Sequence, residues 1–310
     1  MKTPTLVALT TATLVMTTCA PATDQTPAGG HPAVTDPVGF DLANPPGMRE
    51  LSFESHGSKL NGLMYLAAGA GPHPTVILLH GYAGNERNLD LAQALRRAGA
   101  NTMFFNYRGS WGSGGTFSLG NAIEDVAEAI AFLRSEESLG LYRSDPRRVA
   151  LVGHSFGGFL AAVATAADPL IPCMGFLAGA DFGPWGRAAG ADSELRAALV
   201  AGLGADMDYE GGPIKAEAGV VVQDIIDRAD AYDVVARAPR LQDRALFLAI
   251  GERDQALPKA EHHDLVLAAL LEAGADRVTE AVYDDDHYFS AHRVELSRQL
   301  VDWFATSCWD

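Results

Sequence analysis

A serine flanked by glycines is the part of the sequence best suited to chemistry. Residues 149–158 read VALVGHSFGG, an apolar run that leads into a small-residue helical pattern. This order predicts a strand, a sharp turn and a helix, with Ser155 at the apex. Such a turn strains the serine backbone, and Gly153 and Gly157 remove the Cβ atoms that would clash there. We therefore expect the Ser155 hydroxyl to project from the end of a sheet as a nucleophile.

A serine hydroxyl needs a neighbouring base at neutral pH, and that base needs an orienting carboxylate. With this kind of turn, the acid and then the histidine follow later in the chain. Residues 245–251 predict a buried strand, and Asp254 after it is the predicted acid. Glu252 is the alternative, because either carboxylate can orient a histidine. Residues 278–286 contain the next predicted strand, and His287 after it is the predicted base.

Other polar residues near these positions are poorer candidates for a catalytic or metal-binding role. His292 is expected to lie inside the last helix, which makes it a poorer candidate for the base. The run Asp284 to Asp286 would favour a protonated imidazole at His287. This run offers cation ligands, but three consecutive aspartates in a loop are more typical of a solvated turn.

Hydrolysis of an acyl group also needs two N–H donors aimed at the developing oxyanion. Phe156, the residue after the nucleophile, is predicted to supply one. Tyr82, in the segment HGYAG (residues 80–84) after the predicted strand at 75–80, is predicted to supply the other. His80 is expected to be structural, because it precedes the serine and ends a buried strand. Arg108 is expected to hold its glycine-rich loop, with recognition of a substrate carboxylate as the alternative.

The elements that must position these residues alternate along the chain. Short runs that are apolar on both faces are separated by helical patterns, which indicates an α/β fold with a mostly parallel sheet. The predicted strands lie near 51–55, 60–67, 75–80, 101–107, 148–154, 174–180, 245–251 and 278–284, the first two antiparallel. The predicted helices lie near 87–98, 120–138, 157–167, 259–273 and 290–305.

Residues 183–240 interrupt this alternation with further helical patterns. An insertion here would lie above the carboxyl ends of the strands, where ligands bind in open α/β sheets. We interpret it as a small helical cap that shapes the pocket. The alternative is a packed helical excursion without substrate contact.

The start of the chain has a different character. A positive start and an apolar stretch over 6–16 predict a signal peptide over 1–19, too short for a permanent membrane helix. Cys19 is a candidate lipid anchor of the bacterial lipoprotein type, and ordinary signal-peptidase cleavage is the alternative. The proline-rich residues 20–47 predict a disordered tether, and 48–310 form the predicted catalytic domain. We expect an exported protein of the periplasm or cell envelope.

The net charge and the cysteine content limit which binding partners and metal sites are expected. The net charge of −16 argues against nucleic acid as a partner. Cys173 and Cys308 form either a disulfide or two free thiols, and no cysteine has the spacing of a zinc site. The composition gives no indication of the oligomeric state.

The chain resembles the α/β-hydrolase superfamily, and within it the prolyl oligopeptidase-like and serine aminopeptidase-like branch of esterases and peptidases. The resemblance spans about residues 75–290 and rests on segments 80–84, 106–115, 153–158, 251–254 and 286–289. It implies a Ser155–His287–Asp254 triad and an oxyanion hole at Tyr82 and Phe156. It also implies cleavage of a small ester, or of a short peptide, through an acyl-enzyme, with no metal or organic cofactor. An exopeptidase or acyltransferase is the alternative, followed by a non-catalytic binding protein of this fold.

Overall fold

The computed structural model describes residues 30–207 and 212–309. The predicted signal peptide, the candidate anchor Cys19 and the first part of the predicted tether lie outside the described residues. No helix within the described ranges combines the length and the apolar character needed to cross a membrane.

One sheet of eight strands organises the described chain, in the order β1-β2-β4-β3-β5-β6-β7-β8. The strand bounds are β1 Gly47–Ser55, β2 Ser58–Leu66, β3 His73–Leu79, β4 Asn101–Phe105, β5 Ser144–His154, β6 Cys173–Leu177, β7 Ala245–Gly251 and β8 Val278–Tyr283. β2 pairs antiparallel with β1 and with β4, and the remaining neighbours pair in parallel. The α/β prediction with about eight strands is confirmed.

Helices cover both faces of the sheet, which is why the central strands carry apolar side chains on both sides. Every residue of β4, β6 and β7 is buried. The helix bounds are α1 Leu89–Arg97, α2 Leu119–Leu133, α3 Glu136–Tyr142, α4 Phe156–Ala167, α5 Phe182–Ala191, α6 Ser193–Gly204, α7 Ala218–Asp227, α8 Ala238–Leu241, α9 His263–Glu272 and α10 Arg293–Trp303. Two apolar clusters lie on the opposite faces of the sheet.

Several element boundaries differ from the sequence prediction: β1 begins at Gly47 rather than near 51, and α9 at His263 rather than near 259. Two further differences have a visible cause. The single helix expected over 120–138 is two helices, because α2 ends at Leu133 and Ser135 starts α3 by accepting a hydrogen bond from the Ser138 N–H at 3.1 Å. Strand β5 begins at Ser144 rather than near 148, through pairing of Ser144 with His73 on β3.

The parallel strands place their carboxyl ends at one edge of the sheet. The segments that follow β3, β5, β7 and β8 carry the residues predicted to be catalytic, and β5 lies between β3 and β6 in the sheet. The helices α5 to α8 connect β6 with β7 within the predicted insertion. Ile214 of this insertion pairs with Ser110 in the glycine-rich loop after β4, so the two segments are joined at that edge.

The ends of the described chain pack onto the domain. Cys173, the first residue of β6, forms a disulfide with Cys308 beyond α10, and their Cα atoms are 5.3 Å apart. In the region predicted as a tether, the Arg97 guanidinium of α1 donates to the carbonyls of Pro32 and Ala33, at 2.5 and 2.8 Å. Residues 32–33 therefore lie against α1.

Candidate active site

Ser155 occupies the turn between β5 and α4 with a strained backbone. Its φ of 59° and ψ of −121° lie outside the regions that non-glycine residues ordinarily adopt. The surrounding chain holds this conformation, because the Ser155 N–H donates to the Leu177 carbonyl at 2.9 Å. The Ser155 carbonyl in turn accepts from the N–H groups of Gly158 and Ala180, at 2.9 and 3.1 Å. The strand, sharp turn and helix predicted around Ser155 are therefore present, with the serine at the apex.

The glycines on either side of Ser155 are required by close backbone approach. A Cβ on Gly153 would lie 1.8 Å from the Gly157 carbonyl oxygen, and one on Gly157 would lie 2.0 Å from the Leu79 oxygen of β3. No side chain fits at such distances. The tight turn therefore depends on both glycines.

Asp254 and His287 form a buried hydrogen-bonded pair. The His287 Nδ1–H donates to Asp254 Oδ2 at 2.6 Å, and the Asp254 side chain has no exposed surface. The other carboxylate oxygen, Oδ1, accepts from the N–H groups of Ala256 and Leu257 at 2.9 and 2.8 Å. The carboxylate is therefore fixed, and with Nδ1 as the donor, Nε2 of His287 is left as the proton acceptor.

Glu252, the alternative acid, and His292, the alternative base, are not part of this hydrogen-bonded pair. Glu252 is exposed and makes no side-chain hydrogen bond or ion pair among the described residues. His292 bonds Asp285 Oδ2 through Nδ1 at 2.9 Å, which places it in the loop before α10. The predicted aspartate run forms hydrogen bonds within the same loop, since Asp286 accepts from the N–H groups of Tyr288 and Ser290. The structure therefore pairs His287 with Asp254.

Ser155 and His287 line one small cleft of about 20 Å³. The remaining lining residues come from the segment after β3 and from the neighbours of the two candidate catalytic residues: Gly81, Tyr82, Gly84, Asn85, Glu86, His154 and Tyr288. No residue of the predicted cap lines this cleft within the described ranges. The cap reaches it indirectly, since the Tyr82 hydroxyl donates to the Leu203 carbonyl of α6.

The two residues predicted to supply oxyanion donors lie beside Ser155. Phe156 is the first residue of α4, so its N–H has no acceptor within the helix. A Cβ on Gly81 would lie 3.0 Å from the Ser155 Cβ, which shows how closely the segment carrying Tyr82 approaches the serine. The backbone of Tyr82 is thereby brought to the same cleft.

His80 and its neighbours support that segment. Burial lowers the pKa of His80 to about 4, so the ring is neutral, and Nδ1 contacts the Gly81 carbonyl at 2.7 Å. The Tyr107 hydroxyl donates to the His80 carbonyl at 2.9 Å, and Trp111 Nε1 donates to the Ala83 carbonyl at 2.7 Å. These contacts agree with the structural role expected of His80.

One residue beside the nucleophile was not anticipated from the sequence. The His154 imidazole is buried and contacts the main-chain carbonyl of His287 through Nε2 at 2.8 Å. Burial lowers the pKa of His154 to about 3, so the ring is neutral and Nε2 carries the donated proton. Its place directly before Ser155 was visible, but the partner 133 residues away was not.

Arg108 holds its own loop. Its Nε donates to Asp125 Oδ1 at 2.6 Å, and its Nη2 donates to the Asn121 carbonyl at 2.7 Å and to Glu124 Oε2 at 2.5 Å. The Arg108 N–H also donates to Asp125 Oδ2 at 2.7 Å. The guanidinium therefore links its loop to α2 and does not line the cleft.

One group of candidate metal ligands lies among the described residues, outside the cleft. Ligand atoms of His263, Asp264 and Glu280 lie within 4.8 Å of one another. His263 already pairs with Glu280 at 3.0 Å, and Lys259 pairs with Asp264 at 2.5 Å. These contacts occupy Oε1 of Glu280 and Oδ1 of Asp264, two of the candidate ligand atoms.

Comparison with known families agrees with this geometry. A model of the alpha/beta hydrolase family matches residues 76–299, which contain every predicted site residue. The chain belongs to the alpha/beta hydrolase family. No curated protein sequence matches the chain.

Solved structures of other proteins have the same fold as this family member. Est1E from Butyrivibrio proteoclasticus, solved with ferulic acid bound, superposes with a TM-score of 0.63 at 18% identity, covering 82% of this chain and 97% of its own. The Pyrococcus furiosus esterase Pf2001 superposes at 0.59 with 18% identity, covering 89% and 100%. The Pyrococcus horikoshii acylaminoacyl peptidase superposes at 0.61 with 18% identity, covering 86% of this chain and 42% of its own. The resemblance to the esterase and peptidase branch is confirmed in fold.

Proposed function

We propose that this alpha/beta hydrolase family member is a serine hydrolase that cleaves carboxylic esters through an acyl-enzyme. The observation that carries the proposal is the buried Asp254–His287 pair, joined at 2.6 Å, whose His287 lines the same cleft as Ser155 on its strained turn. A base oriented by a carboxylate is the arrangement that activates a serine hydroxyl.

In the first half-reaction, Ser155 Oγ attacks the ester carbonyl carbon while His287 Nε2 takes the hydroxyl proton. The carbonyl oxygen becomes an oxyanion, which the main-chain N–H groups of Phe156 and Tyr82 stabilise. The carbon–oxygen bond to the leaving group then breaks. The protonated His287 gives its proton to the departing alkoxide, and an acyl-Ser155 ester remains.

In the second half-reaction, a water molecule replaces the leaving alcohol. His287 takes one of its protons, and the resulting hydroxide attacks the acyl carbon. A second oxyanion intermediate collapses, the Ser155 Oγ–carbon bond breaks, and His287 returns its proton to Ser155. Asp254 stabilises the imidazolium that forms in both halves, and it stays ionised throughout.

Esters are the proposed substrates because two of the compared structures are named as esterases or hold a carboxylic acid that an ester would release. The peptidase among the neighbours makes amide cleavage by the same residues the second candidate. Both reactions would proceed through the same acyl-Ser155.

We extend the proposal to an exported protein. The disulfide between Cys173 and Cys308 supports an oxidising compartment, because such bonds persist there and are rare in the cytosol. The signal peptide over 1–19, the anchor at Cys19, the tether over 20–47 and the domain over 48–310 with its cap over 183–240 remain parts of this proposal.

Covalent labelling tests the function directly. An alkyl fluorophosphonate should label the wild-type protein and leave Ser155→Ala unlabelled, with both proteins folded by circular dichroism. Absence of labelling on folded wild type would refute the proposal. Comparing p-nitrophenyl esters of graded acyl length with aminoacyl p-nitroanilides then separates esterase from peptidase activity.

A further inference from the structure

Glu86 places a carboxylate in the cleft that contains Ser155 and His287. It follows the segment that carries the predicted oxyanion donor Tyr82, and it is half-buried. The mechanism proposed above does not use it. An acidic side chain so close to a nucleophile bears on which substrates the cleft accepts.

The two oxygens of Glu86 have different surroundings. Oε1 accepts a hydrogen bond from the Asn88 N–H at 2.6 Å, and this contact fixes the side chain against its own loop. Oε2 accepts no hydrogen bond and forms no ion pair among the described residues. One oxygen thus positions the carboxylate, and the other is available to a ligand.

Arg87 and Arg293 line an adjoining depression together with Glu86, but their hydrogen bonds and ring contacts are to other groups. Arg293 binds both carboxylate oxygens of Asp90 and also donates to Asn88 Oδ1 at 3.0 and 3.1 Å. The Arg87 guanidinium lies over the Trp111 ring, 4.6 Å from its centroid, and its Nε donates to the Gly84 carbonyl at 3.4 Å. Neither arginine is paired with Glu86.

The second carboxylate near the reacting groups has no spare acceptor directed at the cleft. Asp254 has both oxygens occupied, by His287 and by two main-chain N–H groups. The cleft lining contains no lysine or arginine. Glu86 therefore carries the negative charge of this lining.

We infer that the cleft selects esters that carry a positively charged ammonium group within reach of Glu86. This inference rests on the proposed function and names its substrate class. An ammonium group placed beside Glu86 would gain a charge interaction and, where it has N–H groups, a charge-assisted hydrogen bond to Oε2. An anionic group at the same place would be repelled.

Matched substrate pairs test this inference because they differ in charge and hardly in shape. Acetylthiocholine and 3,3-dimethylbutyl thioacetate carry the difference in the leaving group. The p-nitrophenyl esters of 4-(trimethylammonio)butanoic acid and 5,5-dimethylhexanoic acid carry it in the acyl group. For each pair, kcat/KM is measured at low ionic strength, where exposed charge interactions are least screened.

Two variants, each of which removes one negative charge, are compared: one inside the cleft and one outside it. Glu86→Gln removes the charge and keeps an Oε1 acceptor for the Asn88 N–H. Glu54→Gln makes the same change at an exposed position on β1, outside the cleft. Melting curves of both variants establish that they fold.

The expected result is a preference of about fivefold for the cationic member of at least one pair, which is the upper range for a partly exposed charge pair. Glu86→Gln should abolish this preference, and Glu54→Gln should retain it. The pair that shows the effect tells whether the acyl or the leaving group lies beside Glu86.

Equal rates for both members of both pairs in wild type, or a cationic preference that survives in Glu86→Gln, would overturn the inference. If the uncharged fluorophosphonate still labels Ser155 in that case, the proposed function stands and the charge selection alone fails. If folded wild type is not labelled, both fail together.

Discussion

The neutral imidazole of His154 donates through Nε2 to the main-chain carbonyl of His287, at 2.8 Å. This bond joins the residue before the candidate nucleophile to the backbone of the candidate base. The two rings also pack with centroids 4.7 Å apart. The position of His287 relative to Ser155 is thus set by a contact separate from the one with Asp254.

We predict that His154→Leu lowers kcat for p-nitrophenyl acetate by about tenfold with little change in KM. The variant leaves the buried His287 carbonyl without its donor, a cost of about 1–3 kcal/mol that the loop can avoid by moving the base. His154→Gln, which retains an N–H donor, should recover most of the rate. Equal impairment of the Leu and Gln variants would contradict a positioning role, and melting temperatures measured in parallel separate it from loss of fold.

We predict that Asp254→Asn lowers kcat by about 10³- to 10⁴-fold, because the amide no longer holds His287 in the productive tautomer or stabilises its charged form. Glu252→Gln, two residues earlier and exposed, should stay within about twofold of wild type. Steady-state kinetics on one p-nitrophenyl ester measures both variants. A larger loss at Glu252 would reverse the assignment of the acid.

We predict that Arg108→Gln lowers the free energy of unfolding by about 3 kcal/mol or more, because it leaves the fully buried Asp125 carboxylate without its cation. Urea denaturation measures the loss. At a temperature where the variant is folded, KM for anionic and neutral esters should change by the same factor. A selective rise in KM for the anionic ester would instead indicate substrate binding by Arg108.

We predict that reduction of the disulfide destabilises the protein by about 2–4 kcal/mol, since the bond closes a long loop. Cys173 and Cys308 are 135 residues apart in the sequence. Melting curves with and without a reductant test this, and the double variant Cys173→Ala/Cys308→Ala serves as the control whose melting should not respond to the reductant. A wild-type melting temperature unaffected by complete reduction would be the contrary result.

We predict that stability falls as the pH is lowered from 6.5 towards 4. Burial lowers the pKa of His80, His154 and His262, to about 4, 3 and 4, from an ordinary value of 6.5. Between those limits the unfolded chain binds more protons than the folded one, so acid favours unfolding. Each histidine then contributes a loss of about 1–2 kcal/mol between pH 7 and pH 5.

Urea denaturation at pH 7 and pH 5 measures this slope. Replacing His154 with Gln should reduce the slope. A slope that is the same in wild type and His154→Gln would exclude His154 as a source of the acid sensitivity.

Much of the fold could be predicted because its signals are local. The strands after which Ser155, Asp254 and His287 lie are short apolar runs, and parallel strands bring their carboxyl ends to one edge. The end of α2 was also signalled locally, since Ser135 followed by two glutamates is typical of a helix start. The helical pattern running past it obscured that signal.

The remaining features of the site depend on contacts between distant segments. The contact of His154 with His287 and that of Tyr82 with the Leu203 carbonyl of α6 join elements far apart in the chain. The free oxygen of Glu86 is equally invisible in sequence, since it depends on where Arg87 and Arg293 find their partners. Composition and periodicity do not encode such pairings.

The close approach of Gly81 to Ser155 divides the cleft wall into a crowded part and an open part. A Cβ at residue 81 would lie 3.0 Å from the Ser155 Cβ, so any side chain there would press directly on the candidate nucleophile. Asn85 and Tyr288 are exposed at the rim of the same cleft and are free of this constraint. Combinatorial libraries that aim to change which ligands the cleft accepts should therefore randomise these rim positions and leave the glycine fixed.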